Sequence, residues 1–232
     1  MNKYPGKICI SIATASVAEA LATATAVQDR ADLLEIRLDS LDAPEIAPFL
    51  SQLSTPVLFT CRPAWEGGFF QGTEDQRLHL LSQAIEAGAP YIDLELNTDE
   101  EARTKILSKA HETSTKVIIS WHDFKTTPSS QGLASILQKQ YRSGADIGKI
   151  VTMANSPHDM LRVFDLYPLA AEMGFPLCAF SMGNKGVISR LTALELGGYM
   201  TYGAPEPGKQ AAPGQLSIDQ MRTILEIFHA DD

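Results

Sequence analysis

Cysteine is scarce. The 232 residues contain three, Cys9, Cys61 and Cys178, far apart and with no CxxC pair. An odd count at such spacing excludes a disulfide framework and fits reduced, buried thiols in a cytoplasmic protein. The five histidines (His79, His111, His122, His158 and His229) form no metal-spaced cluster, so no metal site is expected. Positive charge is also in short supply, with 19 Lys and Arg against 28 Asp and Glu and a net charge of −9. No basic run offsets that balance, which argues against general binding to nucleic acid or an anionic membrane surface. No apolar run approaches the roughly 18 residues of a membrane span. The opening MNKYPGKICISIATASVAEALATATA has lysines and an apolar patch, but Ser11, Thr14, Ser16 and Glu19 interrupt it. It reads as a strand and then a helix rather than a secretory signal.

What the chain does have is a regular alternation. Strand-like runs cover 7–13, 33–39, 56–62, 91–96, 116–123, 147–153, 176–182 and 198–203. Between them lie segments with apolar residues at helical spacing, most clearly 73–87, 99–112, 130–142 and 158–172. Several end in glycine, as in EAGAP, RSGAD and EMGFP, and Ser217 is placed to cap the last helix. The segment APEIAPFLSQL carries two prolines, and the 183–197 segment begins with a glycine-containing loop. Eight strands in 232 residues give about 29 residues per unit, one βα repeat each. Helices between successive strands imply a parallel sheet. The expected fold is therefore an α/β (β/α)₈ TIM barrel forming one domain over residues 1–232.

Such a barrel carries its active site at the carboxyl ends of its strands. The polar residues near those ends are Ser11, then Glu35, Arg37 and Asp39, then Arg62 with Glu66 beyond it, then Asp93 and Glu95, His122 and Asp123, Lys149, and Ser181 with Arg190 after it. In EIRLD the charges alternate with Ile36 and Leu38, so Glu35, Arg37 and Asp39 share one face. Lys149 interrupts the apolar run IGKIV and shares its face with Val151 and Met153. A strand lysine can run its stem along apolar surface to water. The charges at neighbouring strand ends favour a functional role instead. Desolvation and nearby cations are expected to favour its free amine, which can attack a carbonyl. His122 reads either as a hydrogen-bonded core histidine or as a general acid–base beside that lysine. Glu35, Arg37 and Arg62 can form a structural ion-pair network, Arg190 can be a solvated helix residue, and Asp39 and Asp123 can be caps. Asp93 and Glu95 read as partners for the cations or as catalysts. The GAPEPGKQ stretch mimics a phosphate-binding loop, but Gln210 replaces the Ser/Thr that holds magnesium and two prolines remove N–H donors. It reads better as a lid after strand eight.

EIRLD, FTCRPAWEGG, DLEL, SWHDF, ADIGKIV, FSMGNKGVISR, TYGA and APGQ occur in this order along nearly the whole chain. Together they resemble type I 3-dehydroquinate dehydratase. The resemblance implies that Lys149 forms a Schiff base, that His122 is the general acid–base and that Glu66 orients it. It also implies that Ser11, Glu35, Arg37 and Arg62 hold the hydroxyls of 3-dehydroquinate, and that Arg190 and Gln215 hold its carboxylate. The implied activity is cofactor-free loss of water to give 3-dehydroshikimate, in the shikimate route to chorismate and aromatic amino acids, by a homodimer. The chain departs from the family at Ala211, where a lid serine is usual. Two rival readings are a Schiff-base aldolase on the same fold and a catalytically silent barrel that binds a small carboxylate.

Overall fold

A strand buried on both faces reads as a near-continuous apolar run, and isoleucine, valine and threonine recur in KICISI, KVIISWHD and IGKIVTM. The computed structural model describes residues 6–230; the first five and last two residues of the expected 1–232 domain lie outside the described residues. The strands are β1 (Lys7–Ile12), β2 (Leu33–Arg37), β3 (Val57–Thr60), β4 (Tyr91–Glu95), β5 (Lys116–Asp123), β6 (Ile147–Met153), β7 (Leu177–Met182) and β8 (Met200–Gly203). Each pairs in parallel with its sequence neighbour from β1 to β7, and β8 returns to pair with β1. The barrel leaves one seam, between β7 and β8. There, just before β8, the Tyr199 N–H donates to the Leu177 carbonyl at 2.8 Å.

The helices are α1 (Val17–Val27), α2 (Ala47–Gln52), α3 (Glu74–Glu86), α4 (Glu100–His111), α5 (Ser130–Arg142), α6 (Pro157–Phe164), α7 (Leu166–Glu172), α8 (Ser189–Glu195) and α9 (Ile218–Phe228). Local chemistry starts several of them. Thr73 and Gln76 close a capping box on α3, and Ser217 and Gln220 do the same on α9. The expected 158–172 helix is two helices. Pro168 lacks an N–H, and its ring opposes the carbonyl of Phe164, where α6 ends. Strand two is shorter than the 33–39 run suggests. After Arg37 the chain turns through a 3₁₀ segment, Leu38–Ser40, which lets Asp39 fold back on Arg37.

Ile8, Ile10, Ile36, Phe59, Ile92, Ile119 and Ile150 are all buried at 0–1% exposure. They form the layer between sheet and helices, so the other strand face is left for polar groups.

Gly148 shows how this layer supports the lysine strand. The Gln140 side chain on α5 is fully buried and donates to the Ile119 carbonyl at 3.0 Å and the Lys149 carbonyl at 2.8 Å. It ties β5 to β6 beside Lys149. A Cβ on Gly148 would come within 2.9 Å of the Gln140 Oε1 and 2.7 Å of the Phe175 ring. Gly148→Val is expected to destabilise the chain by about 1–3 kcal/mol through overpacking. Urea unfolding measures this, and an unchanged midpoint would show that the space is not needed.

Candidate active site

Lys149 leaves β6 on the face opposite Ile150 and is 4% exposed. A buried ammonium needs charge partners. Its Nζ donates to Asp93 Oδ2 at 3.0 Å, lies 3.7 Å from Glu35 Oε1 and lies 4.0 Å from the centroid of the Tyr202 ring. The charges that touch it are therefore carboxylates: Asp93 takes the ion-pair role that is one of its readings from sequence, and the cation Arg62 stands behind Asp93. An aromatic face adds a further favourable field for the ammonium.

Asp93 is fully buried and shared. Its Oδ1 accepts from the Ser120 hydroxyl at 2.6 Å and lies 2.9 Å from Arg62 Nη2. Burial pushes its carboxyl up, but Arg62 and Lys149 outweigh burial and hold it well below the usual carboxylate range. Arg62 also reaches Glu95 Oε1 and the Ser120 hydroxyl through Nη1, each at 2.6 Å. Glu35 accepts from the hydroxyls of Ser11 and of Thr60, the latter at 2.8 Å. Arg37 gives Asp39 a two-pronged pair, with Nε at 2.9 Å and Nη2 at 2.6 Å.

His122, at the end of β5, is held by Glu66 from the β3–α3 loop, with Nδ1 and Oε1 2.8 Å apart. That leaves Nε2 for the cavity. Burial pushes the imidazole well below its ordinary value, and Arg62 and Lys149 push the same way. Burial pushes the Glu66 carboxyl up from 4.5 to about 8, against the pull of Arg62. The buried pair is therefore short of positive charge of its own and suited to exchange one proton.

Across the barrel lies Arg190 on α8, 1% exposed. It donates to the carbonyls of Gly214 at 3.0 Å, Pro213 at 3.2 Å and Tyr202 at 3.3 Å, and stacks 4.6 Å from the Phe180 ring centroid. No carboxylate of the described residues pairs with it. Burial pushes its guanidinium from 12.5 down to about 10. Gln215 closes the lid turn, its Oε1 accepting from the N–H groups of Ala211 at 2.7 Å and Ala212 at 3.3 Å.

The nine site residues expected from sequence all border one cavity. Ala211 borders it too, where its side chain offers no hydroxyl. Ser181 does not border that cavity: its N–H donates to Ser189 Oγ at 2.8 Å and its hydroxyl lies 3.3 Å from that of Thr152, on the helix side of the strands. Asp123 caps the following turn through the N–H groups of Lys125 and Thr126. Sequence reasoning missed Ser120 and Tyr202. Strand parity with His122 places Ser120 inward, and Tyr202 lies in the TYGA stretch. Among the described residues no group of three or more His, Cys, Asp or Glu is placed to hold a metal ion, and no helix is long and apolar enough to cross a membrane.

A family model described as type I 3-dehydroquinase matches residues 8–232. The chain is 46% identical to the 3-dehydroquinate dehydratase of Desulfotalea psychrophila, over 94% of this chain and 96% of that one. It is 35% identical to that of Methanocaldococcus jannaschii, over 95% and 98%. Its fold is similar to the crystal structure of type I 3-dehydroquinate dehydratase from Clostridium difficile with covalently modified comenic acid. The TM-score is 0.90 at 28% identity, covering 100% of this chain and 95% of that one.

The raised Glu66 carboxyl makes the stability of the fold depend on pH. The folded chain holds its proton up to about pH 8, whereas an ordinary carboxyl releases it near 4.5. The folded state thus binds the extra proton across that window, and its stability falls as pH rises through it. Glu66→Gln removes the titration, so its melting temperature relative to wild type is expected to rise from pH 5 to pH 8. A difference that stays flat or falls over that range would contradict the raised carboxyl.

Proposed function

The chain belongs to the type I 3-dehydroquinase family and is a hydro-lyase, a 3-dehydroquinate dehydratase; from its site geometry we propose that it works through a Schiff base on Lys149. The observation that carries this reading is the pairing of two buried cations on one cavity. Lys149 has carboxylates to hold its proton, while Arg190 has only carbonyls. A substrate that brings one carboxylate and one ketone fits both.

In this reading the carboxylate forms parallel hydrogen bonds with Arg190, helped by Gln215. Ser11, Glu35, Arg37 and Arg62 hold the ring hydroxyls. Lys149 Nζ passes one ammonium proton toward Glu35 and attacks the ketone carbon; the carbonyl oxygen leaves as water with that proton and a second one from the nitrogen, giving an iminium. The positive nitrogen acidifies the adjacent carbon. Once Glu66 is ionised and accepts from Nδ1–H, His122 takes a proton there on Nε2, leaving an enamine. The enamine expels the β-hydroxyl, which leaves as water with the proton from His122. Hydrolysis then frees Lys149 and releases 3-dehydroshikimate. Covalent catalysis divides one hard elimination into easier steps. The same reading puts the reaction in the shikimate route to chorismate and aromatic amino acids.

Two variants test the roles. Lys149→Ala is expected to lose turnover of 3-dehydroquinate and to gain no mass on borohydride reduction with substrate; full activity would remove the imine. His122→Ala is expected to form the borohydride-trapped adduct yet turn over at least about 100-fold more slowly, as loss of a general acid–base does. Wild-type turnover there would take His122 out of the proton transfer.

A further inference from the structure

One buried cation takes no part in the mechanism above. Arg77 lies on α3, outside the barrel wall, and is 0% exposed. Its Nε and Nη2 grip Glu74 at 2.8 and 2.6 Å, and Nη2 also donates to the Thr98 hydroxyl at 3.0 Å. Nη1 donates to the Cys61 carbonyl at 3.2 Å and to Glu95 Oε2. All five of its N–H groups are thus engaged.

Glu95 is fully buried, and its two oxygens go to two different guanidiniums. Arg77 takes Oε2 from the helix side and Arg62 takes Oε1 from the cavity side. Arg62 in turn reaches Asp93, and Asp93 holds the Lys149 ammonium. An alternating row of charges therefore runs from Glu74, near the surface, through Arg77, Glu95, Arg62 and Asp93 to Lys149.

We propose that Arg77 is a positioning residue for the reaction at Lys149: by occupying Glu95 Oε2 it keeps Glu95 from clamping Arg62 with both oxygens, and so keeps Arg62 on Asp93. The inference rests on the reading of Lys149 as the nucleophile. Carboxylates favour a two-pronged grip on a guanidinium when both oxygens are available. Without Arg77, the freed Oε2 turns to Arg62 and draws it off Asp93. Asp93 then faces Lys149 with one cation fewer and pairs with its nitrogen more strongly. The nitrogen leaves that pair less readily for the ketone, and imine formation slows.

The test is a comparison of wild type, Arg77→Met and Arg77→Lys, all well below their unfolding midpoints. Steady-state turnover of 3-dehydroquinate and the single-turnover rate of borohydride-trapped adduct are both measured. Arg77→Met is expected to lose about tenfold or more in kcat, with the adduct rate falling by the same factor. Arg77→Lys, which restores a cation at Glu95, is expected to recover both to within about threefold of wild type. A merely structural Arg77 would lower the melting temperature and leave both rates unchanged in the folded variant. That result overturns the inference. Arg77→Gln carries the same expectation should Arg77→Met fail to fold. A wild type that forms no trapped adduct overturns the lysine reading and this inference with it, whereas a wild type that traps beside an equally fast Arg77→Met overturns only the inference.

Discussion

The ion pair between Lys149 and Asp93 is the constraint around which the barrel interior is arranged. Taking an ammonium out of water costs several kcal/mol even after the surroundings relax. At 3.0 Å, one carboxylate returns about 5 kcal/mol at an effective dielectric near 20. That is enough to hold the lysine inside but leaves little surplus, and Asp93 must be desolvated as well. Arg62 and Ser120 supply what Asp93 then needs, and Glu95 supplies what Arg62 needs. The charged cluster extends outward because each added ion calls for another. The apolar layer of isoleucines on the far strand face keeps water from relieving that demand.

The opposite side of the cavity follows the reverse rule. Arg190 has carbonyl dipoles and an aromatic face but no anion, so it stays a cation in want of a charge partner. His122 and Glu66 are both pushed by burial toward their neutral forms. The cavity thus joins a satisfied cation, an unsatisfied cation and a pair that shares a proton. In the proposed reading, that asymmetry gives a carboxylic ketone one orientation and not its reverse.

Much of this was legible in the chain because strand parity has a strict period of two. Glu35 and Arg37 face inward for the same reason that Ile36 faces out, and Lys149 is exposed as unusual by the isoleucines around it. Ser181 shows the limit of listing strand ends without applying parity to each, since it stands on the outward register. Other features lay beyond pattern reading. The seam between β7 and β8 depends on how the strands tilt and close. The break between α6 and α7 depends on Pro168, whose effect falls four residues upstream. Arg77 sits in a helix with charged neighbours at Glu74 and Asp75, which looks like a solvated face; only the packing of α3 against β3 and β4 turns it inward. Glu35 reaches Lys149 from β2, across the barrel, a contact that spacing along the chain does not show.

The lid bears a further meaning through Arg190. Its hydrogen bonds run to Pro213 and Gly214, which are themselves lid residues, and Gln215 pins the turn at Ala211 and Ala212. In the proposed reading, the segment over the cavity is therefore ordered by the same side chain that receives the ligand's charge. Its conformational entropy is surrendered when the chain folds and not when a ligand arrives. In that reading, affinity and access pull against each other: a lid ordered in advance costs a bound anion little entropy but slows its entry and release.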